Sequence, residues 1–227
     1  GNQLVVTDIC RDLANADGEI KSADDYLFNY VSKFRFPFPA FDKYNATEQR
    51  VYPFCAILKF LIARRELGVE AKLSLDDIFK YIIGNNCTGF EDLGHYKSLI
   101  PVTYNYTDTE RRQLREMVIF ISQLIVLKVY DGFLYLDEIS DGAKDEMLNN
   151  FLRPENRFAK ADRTEEFLEM TSFSNKIIVP TFEVFTAEPA DIEFIEGNRK
   201  RVEHFRVERS GLLRKYYKQV NPHPVCC

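Results

Sequence analysis

The sequence predicts a mainly helical α+β fold, and three features predict it. Apolar residues recur at helical spacing in a series of segments, the pair Asp131-Gly132 separates two short apolar runs, and a long basic segment follows Gly197. At 227 residues the chain has room for one large or two small domains, and 45% hydrophobic with 14% aromatic content permits a real core. Its formal charge of −5 argues against a wholly basic nucleic-acid coat and leaves room for a local basic face. No run of about 18 apolar residues occurs, so no membrane span is expected. No charged-apolar-small leader opens the chain, and the expected location is the cytoplasm. Cysteines at 10, 55, 87, 226 and 227 are odd in number and scattered, which fits reduced thiols. Cys10, Cys55 and Cys87 are expected as inert core residues.

Residues 4–16 read as a helix ended by Asp17-Gly18, and Ser22 caps a second over 23–33. A calcium loop at 15–24 is rejected, because its first ligand position would be Leu13, which offers no oxygen. Residues 34–45, rich in Phe and Pro, form no regular element. They are read as a loop pinned to the core by Phe34, Phe36, Phe38 and Phe41, in preference to an aromatic platform for bases. A strongly periodic helix opens from Thr47 or only near Pro53 and runs to about Leu67, where Gly68 ends it. Ser74 caps 75–83, a short helix covers 90–99, and Thr107 caps a long one over 108–127. Runs 125–130 and 133–136 around Asp131-Gly132 form a hairpin. Helices follow at 140–151 and 164–173, then a bent or edge strand at 177–185 carrying Pro180, and a strand at 192–196. A soft boundary at 153–162 divides a helical region, 1–152, from a small α/β region with a basic helix, 153–227.

Helices followed by a two-stranded hairpin are the order of a winged helix, whose recognition helix enters the major groove while the wing reaches backbone or minor groove. The reader would be helix 90–99 or helix 108–127, which carries Arg111, Arg112 and Arg115 in its early turns; Arg64-Arg65 is a second basic spot. Each is otherwise a solvated helix face.

After Gly197 there are eight Lys and Arg against the two acids Glu203 and Glu208. Glu196-Gly197, the run Arg199, Lys200, Arg201 and Arg206, then Glu208-Arg209, Leu212-Leu213, Lys215 and a cysteine after a short turn resemble the lead-in to the nuclease domain of bacterial HNH endonucleases. In that family a basic linker helix enters a Cys-x-x-Cys half-site, followed by a ββα-metal unit. The resemblance covers residues 192–227, and the sequence stops where the family's catalytic unit begins. Residues 53–68 and 73–84 also resemble the helical N-terminal modules of type II restriction enzymes. The resemblance implies a DNA-recognition region of an HNH-type restriction endonuclease, with double-stranded DNA as partner and a second copy of the chain as an open one. Phosphate contacts would fall to Arg199, Lys200, Arg201, Arg206 and Arg209. Either Cys226 or Cys227 would open a structural zinc site. The divalent metal and the structural zinc would belong to the missing unit, leaving no cofactor and no catalytic residue in this chain.

No Gly-rich phosphate loop occurs, and His95, His204 and His223 are isolated. The triad Asp17, Glu19 and Lys21 mimics an acid-x-Lys nuclease core without a strand context, and Asp191 with Glu193 reads as solvated strand carboxylates. A winged-helix regulator that cuts nothing and a helical interaction domain are the alternative functions.

Overall fold

A computed structural model of the chain describes residues 8–14, 23–40, 43–154 and 156–172. The strands expected at 177–185 and 192–196, the basic helix and Cys226-Cys227 lie outside the described residues. Within them the fold is mainly helical with one small antiparallel sheet, the expected α+β class.

The first helices are α1, Asp8–Ala14, and α2, Ala23–Lys33. Helix α3, Pro53–Glu66, is the centre of the molecule. Proline stands at its first turn, where the missing N–H has no intrahelical partner to lose, so the regular helix starts there and not at Thr47. Gly68 closes it with φ of 70°, a left-handed conformation that suits glycine. The sequence shows an apolar stripe, but every residue from Phe54 to Ala63 is buried, Lys59 included. Lys59 is tolerated because its Nζ donates to the carbonyls of Gly89 at 2.7 Å and Glu91 at 2.9 Å. Burial still lowers its pKa.

Strand β1, Lys72–Leu73, follows, and then α4, Leu75–Asp77, opened by a capping box between Ser74 and Asp77. The helix expected to Ile83 widens into a π-helical turn, Ile78–Ile83, which places Ile78, Phe79 and Ile82 in the core. The helix expected over 90–99 is shorter: α5, Leu93–Ser98. The Glu91 carboxylate there binds the Thr88 hydroxyl and the N–H groups of Thr88 and Gly89, so 88–91 is a knotted turn that helix geometry cannot accommodate. Asp92 then caps α5 through the N–H of His95.

Helix α6, Asp108–Ile121, ends six residues before the expected limit, because Leu124, Val126 and Leu127 turn into the core. Strands β2, Leu127–Tyr130, and β3, Phe133–Leu136, form the expected hairpin. Asp131 and Gly132 have φ of 49° and 78°, the left-handed pair of a tight hairpin turn. Strand β1 was not legible in the sequence; it pairs with β3 and gives the order β1-β3-β2. Helix α7, Asp141–Glu146, continues as a π-helical turn, Met147–Phe151, and α8, Arg163–Met170, is capped by Asp162.

Candidate nucleic-acid interface

Helix α6 is built to present one face outward. Thr107 Oγ accepts from the Glu110 N–H at 3.2 Å, and a Glu110 carboxylate oxygen accepts from the Thr107 N–H at 2.7 Å. This fixes the first turn. Leu114 and Ile121 are buried with Met117, Val118 and Phe120 packed beside them, while Arg112, Arg115 and Ile119 point outward. The three candidate arginines of this helix differ in their surroundings. Arg111 Nη1 donates to Asp76 at 2.5 Å and to the Tyr106 hydroxyl at 2.6 Å. Its guanidinium lies 5.4 Å from the Tyr106 ring centroid, and Tyr106 in turn stacks on Phe79 at 4.1 Å. Hydrogen bonds from Arg111 and Tyr106 hold the Asp76 carboxyl below its usual range. Among the described residues Arg115 pairs with Glu116, at 3.5 Å, and both are well exposed. Arg112 is exposed at the rim of a cavity on one flank of the helix.

That cavity encloses about 630 Å³. Ile57, Ile78, Phe79, Ile82 and Leu114 form its floor, and Phe34, Phe36 and Phe38 one wall. The Phe rings pack on one another and on the core, with Phe34 5.4 Å from Phe36 and 4.9 Å from Phe54. The loop is thus pinned, as expected for three of its four rings; Phe41 lies outside the described residues.

Arg64 and Arg65, at the C-terminal end of α3, each bind a backbone carbonyl. Arg64 Nε donates to Glu70 at 2.9 Å and Arg65 Nη1 to Asp137 at 2.7 Å, residues just before β1 and just after β3. They tie the central helix to both ends of the sheet. Arg199, Lys200, Arg201, Arg206 and Arg209 lie outside the described residues.

The outer face of the sheet is a group that sequence reasoning missed. Leu73, Leu127, Leu134 and Leu136 face the core, so strict alternation turns Lys72, Lys128, Tyr130, Phe133 and Tyr135 outward. Register sets Tyr135 between Lys72 and Lys128, and Phe133 opposite Tyr130. The alternation of 133–136 was visible, but only the two-residue β1 brings Lys72 to that face.

Of the three cysteines expected in the core, Cys55 and Cys87 are buried, and burial pushes each thiol up to about 12. Cys10 is exposed, because α1 turns that position to solvent. Among the described residues no group of three or more His, Cys, Asp or Glu is arranged to hold a metal. No helix among them is long and apolar enough to cross a membrane.

No protein-family model matches the chain, and no curated protein matches it. Among solved structures, the chain is similar to the BpuJ1 endonuclease binding domain in complex with pyrene- and phenanthrene-modified DNA. The two share 17% identity and a TM-score of 0.46 over 73% of this chain and 66% of that one, just under two thirds of its length. A likeness of that size assigns neither fold nor function.

Proposed function

We propose that this chain is the DNA-recognition region of an HNH-type restriction endonuclease, acting in the cytoplasm and holding duplex DNA for a nuclease unit that follows it. The observation that supports this reading most is the order of its elements. A buried helix, a short strand, further helices, an outward-facing capped helix with Arg112 and Arg115, and a tight hairpin follow one another, and the sheet order is β1-β3-β2. We read that order as a winged helix, in which the last helix before the hairpin lies in the major groove. In this reading Arg112 and Arg115 reach base edges, and Arg111 joins them by exchanging Asp76 for the DNA. Arg64 and Arg65 brace the wing. Arg199, Lys200, Arg201, Arg206 and Arg209 run along phosphates toward the nuclease. The divalent metal and structural zinc belong to the following unit, with Cys226 or Cys227 as a first zinc ligand. In this reading no cleavage step falls to the described residues.

Fluorescence anisotropy on a panel of duplexes tests this. The chain binds at low salt, and Arg112→Ala or Arg115→Ala narrows the gap between preferred and other sequences by about 1–3 kcal/mol per lost base contact. Changing Arg199, Lys200 and Arg201 together to Ala weakens all duplexes alike and flattens the salt slope by roughly 0.9 per contact. A chain that binds no duplex at low salt is instead an interaction domain. Duplex binding indifferent to Arg112 and Arg115 removes α6 as the reader.

A further inference from the structure

We propose that the outer face of the three-stranded sheet is a stacking surface for unpaired nucleobases, so that the chain holds a single DNA strand there in addition to the duplex on α6. The proposal rests on the nucleic-acid reading above and deepens it by naming the strand state that this second face takes.

The face is made by register and alternation alone. Phe133 and Tyr135, two residues apart on β3, turn the same way, and their ring centroids are 6.2 Å apart with planes at 60°. Tyr130 extends the row across the hairpin opposite Phe133 and is 62% exposed. Lys72 and Lys128 flank Tyr135 on the two neighbouring strands. Arg64, whose Nε donates to the Glu70 carbonyl at 2.9 Å, stands beside Lys72, so a third cation borders the patch. Three rings interleaved with three cations suit a chain whose bases alternate with phosphates, and bases of any sequence have a π-face to stack. A protein-docking core has the opposite bias, since lysine is depleted there.

The present ion pairs of the lysines are weak and reached by water. Lys72 pairs with Glu70 at 2.6 Å, and its ammonium lies 4.9 Å from the Phe133 ring centroid and 5.9 Å from that of Tyr135. Lys128 pairs with Asp137 at 2.6 Å. Exposed pairs of this kind contribute little and are readily exchanged. An arriving strand takes both trades together: a base replaces the ammonium over the ring, and the released ammonium turns to the adjacent phosphate. Glu70 and Asp137 keep the empty face near neutrality, so binding depends on ring stacking as much as on charge.

The test uses the 227-residue chain with a fluorescein-labelled oligo-dT of about 20 nucleotides, long enough to cross a single-strand site. Anisotropy at low salt gives saturable binding. Changing Phe133 and Tyr135 together to Ala weakens it about fivefold or more for each stacked base lost, while Tyr135→Phe keeps it. Lys72→Gln with Lys128→Gln lowers the salt slope by roughly 0.7 per phosphate contact. Because all four side chains point away from the core, circular dichroism melts of the variants match the parent. No oligo-dT binding by the parent, or binding untouched by the double aromatic change, overturns the proposal. Duplex binding is measured on the same proteins. If duplex binding survives while the ring dependence is absent, this inference falls alone. If the ring dependence holds while no duplex binds, the stacking surface stands and the duplex reading falls.

Discussion

Two sets of arginines in this protein have the same chemistry and opposite fates. Arg35 and Arg50 are among the largest fully buried side chains, at 2% and 0% exposure, and both grip Glu166, itself at 0%. Arg35 Nε lies 2.6 Å from one Glu166 oxygen, Arg50 Nη2 binds the other, and the Lys160 N–H donates to that same oxygen at 3.0 Å. Glu169 faces both guanidinium groups at 3.2 and 3.5 Å. Arg111, Arg112 and Arg115 stand instead on the wet face of α6, where a phosphate or base edge can replace any present partner. A buried arginine with a fitted carboxylate is a clasp, here joining α8 to the loop after α2 and to the approach to α3. An exposed arginine is a ligand site in waiting. Chemical type does not separate the two; desolvation does, because a buried charge that loses its partner has no water to turn to.

The largest effect that sharpens this contrast is on the clasp. Glu166→Ala leaves two buried cations with only the partly exposed Glu169 to share and destabilises the fold by about 3–5 kcal/mol in urea unfolding. Replacing the cluster together, Arg35→Met, Arg50→Met and Glu166→Leu, costs far less, since no charge is left unpaired. Burial alone would raise the Glu166 pKa; hydrogen bonds from Arg50, Arg35 and the Lys160 backbone outweigh it and hold the carboxyl below its usual range. Its contribution is therefore present above the unfolded carboxylate pKa and lost as pH falls through the lowered folded value. Glu166→Ala flattens that acid dependence. Alanine at Arg112 or Arg115, by contrast, shifts stability by no more than about 0.5 kcal/mol. A Glu166→Ala protein as stable as the parent breaks the comparison.

A half-buried carboxylate, Glu91, gives an intermediate effect. Burial pushes Glu91 up, but the Thr88 hydroxyl and N–H, with the Tyr96 hydroxyl at 2.7 Å, pull it down to about 2 from an ordinary 4.5. The stability this adds is fully present above pH 4.5 and drains away as pH falls toward 2. Glu91→Gln removes that loss and lowers stability at neutral pH by about 1–3 kcal/mol, as expected for hydrogen bonds to a charged group. An unchanged acid limb in a pH series of thermal melts excludes this role for Glu91.

The difference between the two arginine sets also explains what the sequence could disclose. Helix caps at Ser74 and Thr107 and the Asp131-Gly132 turn are local codes, and each stands where it was read. The basic residues of α6 were legible for the same reason, since spacing along a helix is local. The clasp was not, because residues 35, 50 and 166 meet only after folding, and a buried arginine reads in the sequence like any other. The π-helical turns at 78–83 and 147–151 escaped likewise: packing sets them, and their composition is ordinary for a helix. Strand β1 is too short to show a period of two, so the outer sheet face had no linear signature.

The smallest effect separates members of the exposed set from each other. Arg111 is held by Asp76 and Tyr106, whereas Arg115 meets, among the described residues, Glu116 at 3.5 Å. To touch DNA, Arg111 must give up Asp76, and an exposed pair of this kind is worth about 0–1 kcal/mol. Asp76→Asn removes the competitor and one negative charge beside the proposed interface, while the capping box of α4 is left intact because Asp77 supplies it. Duplex affinity therefore rises by up to about fivefold, the equivalent of that pair energy. Arg111→Ala costs less binding in the parent than in the Asp76→Asn background, and the double-mutant cycle reads the coupling directly. Arg115→Ala loses the same amount in both backgrounds. If Asp76→Asn leaves affinity unchanged and the cycle closes at zero, Arg111 belongs with Arg35 and Arg50 as part of the scaffold, and Arg112 and Arg115 alone remain to read the duplex.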